Sequence, residues 1–75
     1  MSQQRPVVVN PPTPSGGRRV YARGGEILGL ARDLRDLAEF LRRAGLDLDP
    51  AEVAESDLIE WRGGGPHVWE AAADQ

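Results

Sequence analysis

Cysteine and lysine are both missing from these 75 residues, and histidine occurs once, at His67. Without cysteine there is no disulfide and no thiolate chemistry. One imidazole cannot build a histidine-rich metal site, so no metal and no cofactor is expected. Aromatic residues make up 5%: Tyr21, Phe40, Trp61 and Trp69. No apolar run approaches the roughly 18 residues that a membrane span requires. No apolar signal core precedes a small-residue cleavage site, so the expected location is the cytoplasm and no membrane partner is expected. A chain of this length makes at most one small domain.

What is present is charge of an unusual kind. All nine basic residues are arginines, facing twelve acids, for a net charge of −3. Arginine-only usage gives planar, permanently charged forks that pair bidentately with carboxylates; it also fits the codon bias of a GC-rich bacterial genome. The charges are segregated. Residues 1–43 hold eight arginines and four acids, net +4, whereas residues 44–75 hold one arginine and eight acids, net −7. Such a molecule can pair its halves internally or pair with a second copy.

Residues 1–17 contain four prolines and two glycines with no helical or alternating apolar pattern. That composition predicts a disordered tail with polyproline II character. Val7-Val8-Val9 is its only β-prone stretch. A single small domain is expected over 18–70, with a frayed terminus at 71–75.

Within that domain, Arg18–Arg23 reads as a strand, Gly24-Gly25 as a two-residue hairpin turn, and Glu26–Ala31 as the return strand. This register sets Arg23 against Glu26, Ala22 against Ile27, Tyr21 against Leu28 and Val20 against Gly29. Leu34, Leu37, Ala38, Leu41 and Ala44 form one apolar stripe, which predicts a helix from Asp33 to Ala44. Asp33 supplies its N-cap and Gly45 its left-handed C-terminal stop. Asp49-Pro50 starts a second, short helix. Asp57–Arg62 is expected to be a third strand, the alternative being the second half of a longer helix from Pro50, and the Gly63–Gly65 run with Pro66 ends either element. The predicted fold is a small two-layer α+β domain of ββαβ order.

One alternative comes from the same residues. Ile27, Leu30, Leu34, Leu37 and Leu41 also fit a helix that begins at Glu26. A strand, that long helix and a second helix from Pro50 would resemble the ribbon-helix-helix dimers of small DNA-binding regulators and antitoxins. The resemblance implies that Arg19, Tyr21 and Arg23 alternate onto a base-reading strand face. Nucleic acid is a partner only under this alternative.

Residues suited to catalysis are sparse. Besides Tyr21, the hydroxyls are Ser2, Thr13, Ser15 and Ser56, and three of these fall in the expected tail. Asp47-x-Asp49 begins like a calcium loop, but the sixth and twelfth positions hold Glu52 and Leu58 where such a loop needs Gly and Glu. Arg62-Gly63-Gly64-Gly65-Pro66 lacks the Lys and Ser/Thr of a phosphate loop. The expectation is therefore a non-enzymatic interaction module without a small-molecule substrate. Its partner is a second copy or a larger protein to which it is an accessory or regulatory subunit. One helix covers one sheet face, so the other is expected to carry the contact. Tyr21, Leu28, Leu30, Trp61 and Trp69 are the expected apolar anchors, with Arg19 and Arg23 at the rim. A thin core without disulfide or metal points the same way, because association then supplies missing stability.

Overall fold

The computed structural model describes residues 5–71. It is an α+β domain with strands β1 (Val7–Pro12), β2 (Arg18–Ala22) and β3 (Ile27–Ala31), helices α1 (Leu34–Arg43) and α2 (Pro50–Ala54), and strand β4 (Ile59–Trp61). The sheet order is β3-β2-β1-β4. β1 runs antiparallel to β2 and parallel to β4.

The largest correction concerns residues 1–17. Their central part is β1, an interior strand of the sheet, rather than a disordered tail. Val7, Val8 and Val9 are 2%, 8% and 0% exposed. Three consecutive buried β-branched residues offset the ordering cost that composition alone suggested could not be met. Pro11 and Pro12 fall at the strand's end, where the pairing has a register irregularity between Val9 and Pro12. The ordered unit thus begins well before residue 18. Residues 1–4, and 72–75 of the expected frayed terminus, lie outside the described residues.

The hairpin exists, with a different turn and register. Its loop is the three residues Arg23–Gly25, closed by the Ala22 N–H donating to the Glu26 carbonyl at 2.7 Å. Val20 pairs with Gly29 as expected, but Tyr21 pairs with Ile27, leaving Leu28 as the extra residue of a bulge. The second strand also excludes the ribbon-helix-helix layout. Residues 27–31 are extended, and α1 starts only at Leu34. The Asp33 side chain accepts the Asp36 N–H at 2.9 Å, capping the helix where the sequence signal lies.

Gly45, at φ +97°, ends α1. The Leu46 N–H reaches back to the Leu41 carbonyl and the Gly45 N–H to that of Arg42, a Schellman stop. α2 opens on a capping box between Asp49 and Glu52 behind Pro50. Both helices cover the same sheet face. Leu37, Ala38 and Leu41 of α1 and Val53 of α2 pack with Val7, Val9, Val20, Ala31 and Ile59 in one core. By strand alternation, Val8 and its partners Tyr21 and Glu60 belong to the other, helix-free face.

Candidate interaction surface and the arginine cage

The expected anchors separate into two groups. Tyr21 is half-buried on the helix-free face, opposite Val8. Leu30 is also half-buried and pairs with Arg19 across the β2–β3 ladder. Arg19 is exposed, and its side chain makes no hydrogen bond or ion pair among the described residues. Leu28 packs against the core and lines a groove with Ile27 and Phe40. Arg23 does not face Glu26. It donates to the Arg5 carbonyl at 2.8 Å and lies 3.4 Å from the Glu60 carboxylate.

Glu60 is the acid of this face, held by Arg62 at 2.7 Å and by Arg23. The Arg62 hydrogen bond is the main cause that lowers its pKa, with the Arg62 charge and Arg23 adding to it and desolvation opposing. A shallow depression of about 270 Å³ lies beside these groups, lined by Val8, Asn10, Tyr21, Arg23 and Arg62 among others.

Trp61 and Trp69 belong to a different structure altogether. Their rings meet edge-to-face with centroids 6.1 Å apart, and both pack against the core. The Arg18 guanidinium lies beside both rings, 5.3 Å from the Trp61 centroid and 5.8 Å from that of Trp69. Arg18 is fully buried. Its Nε donates to the Asn10 carbonyl, one terminal nitrogen to those of Gly65 and Val68, and the other to those of Arg62 and Gly64. All five N–H donors are therefore used, at 2.7–3.0 Å, and every acceptor is a backbone carbonyl. Burial lowers the Arg18 pKa from its ordinary value, though an arginine stays charged.

This cage explains the glycine-rich run. Residues 62–69 fold over the end of the sheet so that their carbonyls converge on one cation. Gly63 and Gly64 adopt φ of +76° and +136°, which glycine tolerates without strain. The Trp69 indole N–H donates to the Pro66 carbonyl, and the Gly17 N–H to that of Trp69. The loop leaves His67 exposed and Val68 41% exposed.

Arg18 was not among the expected site residues. Its signal was its place two residues before Val20, on the inward face of a strand. The tryptophans, expected at an interface, both pack beside Arg18 and remain half-buried.

Among the described residues, no three His, Asp or Glu side chains converge to hold a metal ion. No helix among them is long and apolar enough to cross a membrane. No known family, characterised protein or solved structure matches this chain.

Proposed function

We propose that this chain is a small, non-enzymatic protein–protein interaction module of the cytoplasm, working as a homodimer or as an accessory subunit of a larger protein. The observation that carries this reading is the one-sided covering of the sheet. Both helices lie on one face, leaving Tyr21, Leu30, Arg19 and Arg23 about the other face and its β3 side. An aromatic and a leucine ringed by arginine forks is the composition of a contact surface. Arg19 has its fork free for a carboxylate, and the chain's acidic second half makes a second copy one source of carboxylates.

Trp61 and Trp69 lie apart from this surface, half-buried beside Arg18 at the end of the sheet. The test replaces Tyr21 and Leu30 with serine and measures association by sedimentation equilibrium, alongside duplex-DNA binding by fluorescence anisotropy. Association weakened by about 1–3 kcal/mol per anchor supports the module. Sequence-specific DNA binding by the wild type near physiological salt overturns it.

A further inference from the structure

The helix-free face of the sheet carries an apolar row that crosses three strands. Val8 of β1 pairs with Tyr21 of β2, and Tyr21 with Ile27 of β3, because the bulge sets Ile27, rather than Leu28, beside the tyrosine. Ile27 is 59% exposed, the highest among the exposed large hydrophobic side chains. Leu30, paired with Arg19, extends the row. By strand alternation Arg19 and Arg62 stand on the same face. Arg23 reaches it as well, through its contact with Glu60. Three arginines therefore share the face with one acid, and the Arg19 side chain is without an ionic partner among the described residues.

The opposite charge lies across the molecule. Asp47, Asp49, Glu52, Glu55 and Asp57 are all exposed, on α2 and the segments flanking it. α2 packs through Val53 on the helix side of the sheet. No arginine occurs between residues 44 and 61. None of these five acids is ion-paired among the described residues, where Arg23–Glu60 is the one ion pair that joins the basic half of the chain to its acidic half. The charge segregation along the chain is thus not neutralised within the fold. It becomes two surfaces of opposite sign on opposite sides of one sheet.

Resting on the interaction-module reading, we infer that the partner is a second copy of this chain, whose acidic α2 side, residues 47–57, docks on the helix-free face. Each surface supplies the charge that the other lacks. Because the two surfaces face opposite ways, a single two-fold contact cannot bring both together. Copies add head to tail instead. Every contact leaves one helix-free face and one acidic side unused, so the assembly grows past two chains or closes into a ring.

The experiment is a complementation of two variants, read by sedimentation equilibrium. Arg19→Gln with Ile27→Ser removes an unpaired fork and the most exposed apolar side chain of the row. Asp47→Asn, Glu55→Gln and Asp57→Asn together neutralise the acids outside the α2 capping box. Each variant alone is expected to associate about tenfold more weakly than the wild type. Mixed in equal amounts, they are expected to form a 1:1 dimer of near-wild-type affinity that grows no further, because the acidic side of the first and the face of the second are intact. The wild type is expected to exceed the mass of two chains as its concentration rises. Its association should weaken between 0.1 and 1 M salt, as the screening length shrinks from about 10 to about 3 Å. Melting temperatures of the variants should stay within a few degrees of the wild type's, which separates lost docking from lost folding. A mixture no tighter than its components, a wild type that stops at two chains, or an association indifferent to salt overturns the head-to-tail docking and leaves the module reading in place. A wild type that remains monomeric to about 1 mM, the weak end of the affinity scale, overturns self-docking and leaves a different protein as the partner. Sequence-specific DNA binding is the separate result that fails the module reading itself.

Discussion

Arg18 and Trp61 define the far end of the sheet: the guanidinium lies 5.3 Å from the indole centroid, and both side chains are on the helix-side face. Among the described residues, no carboxylate hydrogen-bonds or ion-pairs with this buried cation. It is compensated by five carbonyl dipoles and two aromatic rings. Such a cage depends on the number and planarity of the donors rather than on charge alone.

Arg18→Lys keeps the charge but offers three donors for five acceptors. At about 1–3 kcal/mol for each of the two buried acceptors left unpaired, the substitution is expected to cost roughly 2–6 kcal/mol, read as a fall in the urea midpoint. A cost below about 1 kcal/mol, within the range of ordinary surface changes, would refute the cage's role. Because no ion pair is involved, the wild-type midpoint is expected to show little of the salt weakening that marks exposed charge pairs.

The glycines of the loop are expected to be unequal. An alanine Cβ at Gly63 would lie 2.7 Å from Pro11 Cβ, on backbone at φ +76°. Gly63→Ala combines strain with collision and is expected to cost more than about 1 kcal/mol. At Gly65 an added Cβ meets nothing within 4 Å, and its φ lies outside the left-handed range. Gly65→Ala is expected to be neutral or to stabilise by up to about 1 kcal/mol. Thermal melts of the two single variants separate them; equal effects would contradict the loop geometry.

These two positions also show how far the sequence could be read. Helices were legible because their signals are local: Asp33, Gly45 and the Asp49-Pro50 pair act within one turn of chain. The existence of the β2–β3 hairpin was legible for the same reason. Its register was not, because the bulge at Leu28 is settled by packing against Phe40 and the core. β1 was hidden by composition. The prolines and glycines around Val7-Val8-Val9 outvoted three residues whose partners in β4 lie 52 positions away. Likewise, the Arg62, Gly64 and Gly65 carbonyls and Arg18 are more than forty positions apart. Nothing local announces that they meet.

If β1 is an interior strand, its valines carry stability. Val9 is fully buried, pairing with Val20 on one side and Trp61 on the other. Val9→Ala is expected to destabilise the domain by about 2–3 kcal/mol, in the range of large-to-small core changes. Deletion of residues 1–12 is expected to abolish cooperative unfolding, since it removes the strand that joins β2 to β4. A truncated chain with an unchanged melting temperature would restore the view of this segment as a tail.

Glu60 gives a prediction in pH. The Arg62 hydrogen bond, then the Arg62 charge and the weaker Arg23 contact, place its folded pKa below the ordinary 4.5. A carboxylate depressed by folding contributes stability that is fully present above its unfolded pKa. That contribution is lost as the pH falls through the folded value, so it disappears on the acid side of 4.5 and is constant near neutrality. The side chain is exposed, so the effect on stability is small and the titration itself is the better readout. A carbon-detected NMR titration of the Glu60 carboxyl is expected to give a midpoint below 4.5. Arg62→Gln should raise that midpoint more than Arg23→Gln does, because the hydrogen bond to Arg62 is the larger cause. The reverse order would mean that the Arg23 contact at 3.4 Å, rather than the Arg62 contact at 2.7 Å, governs the charge on this face.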